Sequence, residues 1–120
     1  MESSKVSDLV RKYFAAYESK DRKVVEDTLS DSFTFTSPYD DHIGTRTYFD
    51  RCWSNSDKIR AIHIEKLVER GDDVFVLYTC ELTTGTTFRN TEYLRFEGGK
   101  LREVEVYFGS LPQGVVREEP

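Results

Sequence analysis

The sequence predicts a single α+β domain in which three helices come first and pack on a curved, mostly antiparallel sheet. Apolar residues recur at helical spacing in the first part of the chain, up to Trp53. Four strand-like runs then follow one another from Ile59 to Phe108, joined by segments short enough for hairpins. At 120 residues, 38% hydrophobic and 13% aromatic, the chain holds one core and is too short for two ordinary domains.

In the first helix Val6, Leu9, Val10, Tyr13, Phe14 and Tyr17 share one face, with Ser4 or Ser7 available as its N-cap. Asp21 caps a second, shorter helix carrying Val24, Val25 and Leu29, and Ser30-Asp31-Ser32 ends it before the β-rich Phe33-Thr34-Phe35-Thr36. Pro38 stops that strand, and the segment Asp40-Asp41-His42 reads as a loop. Gly44 permits a turn, and Thr45 can cap a third helix with the apolar stripe Tyr48, Phe49, Cys52 and Trp53. The strands run from Ile59 to Glu69, Val74 to Thr83, Thr87 to Phe96 and Leu101 to Phe108. Gly71-Asp72-Asp73, Thr84-Gly85-Thr86 and Gly98-Gly99 separate them as an antiparallel meander. The domain is expected to span 1–109, with 110–120 (SLPQGVVREEP) a loosely ordered tail.

Lys and Arg number 17 against 22 Asp and Glu, a net charge of -5 without basic clusters, which argues against nucleic acid as a partner. The polar start MESSKVSDLV has no apolar h-region, and no run approaches the roughly 20 apolar residues of a membrane span. Cys52 and Cys80 stand alone and read as reduced thiols. A soluble, cytoplasmic protein is expected. No glycine-rich loop opens a helix, and no His-x-x-x-His or Cys-x-x-Cys spacing occurs, so neither a phosphate cofactor nor a metal is expected.

The segments RKYFAAYESKD (Arg11 to Asp21), the strand ending in Ser37-Pro38, YLRFEGGKL (Tyr93 to Leu101) and VYFG (Val106 to Gly109) occur in an order that resembles the nuclear transport factor 2-like superfamily. The likeness covers nearly the whole chain and points to the SnoaL-like and ketosteroid isomerase-related branches. SPYDDHIGTRTYFDRCW, Ser37 to Trp53, is similar to small bacterial SnoaL-like proteins whose reactions are mostly unassigned. The resemblance implies a cone-shaped barrel around a ligand pocket and a homodimer formed through the sheet. Thr87, Arg89, Thr91, Tyr93 and Arg95 would then form part of the outward face.

Ketosteroid isomerases carry an Asp general base immediately before this proline, where the present chain has Ser37, so that activity is disfavoured. Their oxyanion-hole tyrosine matches Tyr13, and the protonated acid beside it falls on Glu92. Glu92 shares a strand face with Phe88, Asn90 and Leu94; burial would raise its pKa, whereas Arg89 or Arg102 could keep it ionised. His42, after Asp40 and Asp41, offers an Asp-His base in place of the missing aspartate, or else a solvated loop. His63 and Glu65 form a second such pair on one strand face.

The candidate catalytic set is therefore Tyr13, Asp40, His42 and Glu92, with Tyr17, Ser37, Phe49, Trp53, Asn90 and Phe108 as ligand-binding residues. Core packing is the competing reading for Tyr13, Tyr17, Phe49 and Trp53. The expected function is a pocket for an apolar or aromatic molecule bearing a polar oxygen. Whether isomerase, cyclase or hydrolase chemistry occurs there is open, and the alternative is a non-catalytic ligand-binding or dimerisation module.

Overall fold

A computed structural model of the chain describes residues 5–109. The proposed cap Ser4 and the tail 110–120 lie outside the described residues, and Ser7 stands within the first helix, where it caps nothing. That helix, α1 (Lys5–Ser19), buries Val10, Tyr13, Phe14 and Ala16. Lys20 leaves it at φ 61°, and Asp21 then caps α2 (Arg22–Thr28), its Oδ1 accepting the Val24 N–H at 3.3 Å.

The first strand, β1 (Leu29–Ser37), is longer than its composition suggests. Ser30-Asp31-Ser32 is already strand, because Leu29 pairs in parallel with Leu101 and tertiary pairing overrides the turn-forming residues. The expected loop at Asp40 is also a strand, β2 (Asp40–Ile43), pairing antiparallel with β1 across an irregularity between Phe35 and Ser37. Gly44, not Thr45, occupies the N-cap of α3 (Thr45–Arg51). That helix ends sooner than its apolar stripe implies: Cys52 is its C-cap and Trp53 opens a 3₁₀ turn, Trp53–Lys58.

The meander follows as expected, in β3 (Ile59–Arg70), β4 (Asp73–Leu82), β5 (Thr87–Glu97) and β6 (Lys100–Phe108). The six strands lie in the order β2-β1-β6-β5-β4-β3, antiparallel except for β1 beside β6. The sheet curves around the helices without closing, so the barrel of the expected cone stays open. Irregularities at Ile64/Lys66 in β3 and Arg95/Phe96 in β5 break the ladder locally and help it bend. Gly98 and Gly99 both take positive φ, 59° and 80°, in the tight β5–β6 turn. Gly109 closes the last strand against the Arg89 carbonyl, where a Cβ would stand 2.6 Å from that oxygen.

Cross-strand register places Val74, Val76, Leu94 and Val104 on the concave face, which packs with Val10, Val25 and Tyr48 of the helices into one core. Val68, Phe75 and Tyr107 on the convex face remain exposed. Among the described residues no helix is long and apolar enough to cross a membrane. Cys52 and Cys80 are free thiols.

Candidate functional site

One cavity of about 610 Å³ lies between α1, the α3 region and the concave face of the sheet. Tyr39, Arg51, Asn55, Lys58 and Phe108 are the exposed residues lining it and form its mouth. Its walls are largely aromatic. Tyr13 and Tyr17 reach it because they sit one turn apart on α1, with ring centroids 5.5 Å from one another. Tyr48 of α3 joins them: its hydroxyl lies 3.1 Å from that of Tyr13 and is also hydrogen-bonded to that of Tyr17. The three phenols form one chain, and burial raises the pKa of each, so all are neutral donors at neutral pH.

On the opposite wall, alternation along β5 directs Asn90 and Glu92 inward beside Tyr78 of β4, which stands across from Asn90 in the ladder. The Tyr78 hydroxyl donates to Glu92 Oε2 at 2.7 Å and accepts from Asn90 Nδ2 at 3.3 Å. Glu92 Oε1 and Asn90 Oδ1 are buried without a hydrogen-bond partner among the described residues. Burial pushes the Glu92 pKa up to about 7, against the opposing pull of the Tyr78 hydrogen bond. Neither proposed cationic partner reaches it. Arg89 pairs with Glu65 at 2.8 Å, and Arg102 pairs with Glu97 at 3.5 Å while donating to the Ser32 carbonyl.

Tyr13, Tyr17, Ser37, Asp40, Asn90, Glu92 and Phe108 all line the cavity. Asp40, with its side chain 8% exposed, is held by Arg51 at 2.7 Å, and Ser37 Oγ accepts the Tyr39 N–H. Three expected residues fall elsewhere. His42 is an exposed residue of β2, where its left-handed backbone, φ 52°, at the β1–β2 irregularity breaks the alternation that would set it beside Asp40 and leaves it outside the cavity. Its Nδ1 meets Asp41 at 2.7 Å and its Nε2 lies 3.8 Å from Glu103; the hydrogen bond to Asp41 raises its pKa. Phe49 and Trp53 do not line the cavity either. Phe49 is buried against Tyr48 and under the Arg22 guanidinium, and Trp53 packs edge-on against Tyr17. The His63–Glu65 pairing is not made, since Glu65 sits at a ladder irregularity and engages Arg89 and Thr79.

His42, Glu103 and Glu105 bring three potential ligand atoms within 4.8 Å, on the surface and apart from the cavity. Arg95 also approaches Glu103, and Tyr107 donates to Glu105. Sequence reasoning left Tyr48, Tyr78 and Arg51 out of the site. The inward alternation of β4 was the available signal for Tyr78; the other two depend on where α3 docks.

The fold and the chain's sequence agree on its family. The SnoaL-like domain family matches residues 10–104, and the chain belongs to it. No curated protein matches the chain in sequence. Among solved structures, an NTF2-like protein of unknown function from Cytophaga hutchinsonii is 24% identical, with 90% of this chain and 94% of that one covered and a TM-score of 0.72. An epoxide hydrolase of M. tuberculosis described as LEH-like is 18% identical over 90% and 85%, at a TM-score of 0.75. A hypothetical protein of Catenulispora acidiphila with a ketosteroid isomerase-like fold, in complex with trimethylamine, is 16% identical over 83% and 84%, at a TM-score of 0.66. At these identities the likeness to solved structures is one of fold.

Proposed function

We propose that the chain is a small-molecule pocket protein whose cavity takes an apolar or aromatic ligand and carries out acid–base chemistry on it. The observation that carries this reading is Glu92: a carboxyl set among aromatic side chains, with a pKa of about 7 and no cationic partner among the described residues. Such a group holds or releases a proton near neutral pH, as a general acid or base must. Ser37 carries a hydroxyl that does not accept a proton at neutral pH, His42 lies outside and Asp40 is held by Arg51, so Glu92 takes the proton-transfer role. The Tyr13–Tyr48–Tyr17 chain faces it as a source of O–H donors for a ligand oxygen on which charge develops. Asp40 and Arg51 form a charged pair at the opening.

A thermal-shift screen of the purified protein against steroids, polyketide-like aromatics, terpenoid epoxides, aromatic amines and small acids tests this reading, because a ligand of the folded state raises the melting temperature. We expect a concentration-dependent shift that Tyr13→Phe or Glu92→Gln reduces. Silence across the screen from a stably folded protein argues for the non-catalytic module instead.

The convex face supports an additional proposal, a homodimer formed through the sheet. Phe75, 49% exposed, stacks on Tyr93 at 5.1 Å between ring centroids, with Val68 and Tyr107 exposed on the same face. The two free thiols fit a reducing compartment such as the cytoplasm.

A further inference from the structure

We infer that the ligand of this cavity is an amine, presenting a protonated nitrogen to Asn90 Oδ1 and Glu92 Oε1. The inference rests on the pocket reading above and names its substrate class. It begins with one hydrogen atom. Tyr78 has a single hydroxyl proton, and the 2.7 Å contact to Glu92 Oε2 uses it when the acid is ionised. The 3.3 Å contact from Asn90 must then be a donation, so the Asn90 amide turns its NH₂ to Tyr78. The reverse orientation would set two acceptors against one proton.

Two atoms are left over by that arrangement, Asn90 Oδ1 and Glu92 Oε1, both buried and without a partner. An amide oxygen only accepts, as does a carboxylate oxygen, so what completes this wall is a donor. Buried polar groups in folded proteins are nearly always satisfied, and a pair left open beside a cavity marks where a bound group belongs.

Charge then chooses among donors. Among the described residues the basic side chains lining the cavity are Arg51 and Lys58, both at its mouth, and Arg51 is held by Asp40. A hydroxyl would supply hydrogen bonds but leave the Glu92 charge uncompensated in a poorly solvated wall. An ammonium group supplies both. An anionic ligand would meet a like charge. The volume, about 610 Å³, lies in the usual range for sites that enclose a small organic molecule.

The titratable groups that act on or are acted on by Glu92 are Tyr13 and Tyr17 of α1 and Tyr78 and Cys80 of β4, whose pKa values burial raises. On β6 the residue opposite Glu92 is Val106. Asp40, Arg51, Cys52 and Lys58 line the same cavity from the β2, α3 and 3₁₀ side. Glu92 is therefore the group expected to govern amine binding between pH 5.5 and 8.

Calorimetric titration of the purified protein with three probes of similar shape, 2-phenylethylamine, 2-phenylethanol and 3-phenylpropanoate, tests the inference. At pH 8 the amine should bind about tenfold or more tighter than the alcohol, and the acid most weakly, a tenfold ratio being about 1.4 kcal/mol. Its advantage should shrink toward pH 5.5 as Glu92 takes up a proton, and at pH 7 amine binding should release protons to the buffer. Glu92→Gln should erase the preference while still binding the alcohol, with circular dichroism confirming its fold. Should that variant fail to fold, the pH profile of the wild-type protein decides alone. Equal or better binding of the alcohol or the acid at pH 8, or an amine preference that ignores pH, overturns the amine assignment and leaves the pocket standing. If none of the three binds and the ligand screen is also silent, both readings fall together.

Discussion

Glu92 is the residue on which most of the chemistry turns, and its burial has a consequence for stability as well as for binding. Its carboxyl ionises at an ordinary value of 4.5 in the unfolded chain and at about 7 in the folded one. Between those values the folded protein holds a proton that the unfolded chain has released, so stability falls as pH rises through this window. The contribution is complete below the unfolded value and lost above the folded one. At roughly 1.4 kcal/mol per pKa unit, the loss amounts to about 3 kcal/mol. Glu92→Gln keeps an acceptor for Tyr78 but no titration. Urea unfolding at pH 4.5, 6 and 8 should show the variant gaining on the wild-type protein as pH rises, and a stability difference independent of pH would sink the assignment. The resemblance to ketosteroid isomerases singled out Glu92 and Tyr13 in the sequence, while strand alternation and helical spacing fixed the faces they occupy. His42 was not legible in this way: its left-handed φ and the irregular pairing of β2 with β1 turn it away from the face that Asp40 occupies, and nothing in Asp40-Asp41-His42 reveals that break in alternation.

The same contrast holds among the elements. α1 and the β3–β6 meander were readable because each has a strong period and clear punctuation. The extension of β1, the existence of β2 and the early end of α3 were not, since all three depend on partners distant in sequence. Of these, α3 matters most to the site. It delivers Tyr48, 1% exposed, into contact with both Tyr13 and Tyr17, and so fastens the third helix to the first through hydroxyl groups as well as packed rings. Tyr48→Phe preserves the ring and removes the shared hydroxyl, leaving two enclosed phenols short of a partner. A buried polar group so stranded costs about 1–3 kcal/mol. The expected result in urea unfolding is a loss within that range, compared with no measurable change for Tyr39→Phe, whose side chain is exposed at the mouth. A Tyr48→Phe protein as stable as the wild type would mean that ring packing alone holds α3 in place.

For the molecule as a whole, the curved sheet divides two proposed tasks: the concave face encloses the cavity, while the convex face is left for a partner. Phe75, Tyr93, Val68 and Tyr107 give that face an apolar centre. The homodimer proposed above would set this apolar centre against the same face of a second copy across a two-fold axis. Sedimentation equilibrium should give twice the 14.0 kDa of one chain for the wild-type protein and a single chain for Phe75→Lys. Phe75 points away from its neighbours Val74 and Val76, both fully buried, so the substitution should leave the core and the cavity intact. The Phe75→Lys monomer should therefore bind cavity ligands as the wild type does. Wild-type protein that sediments as a monomer rejects the dimer; a monomeric variant that loses its ligand shows instead that pairing shapes the pocket.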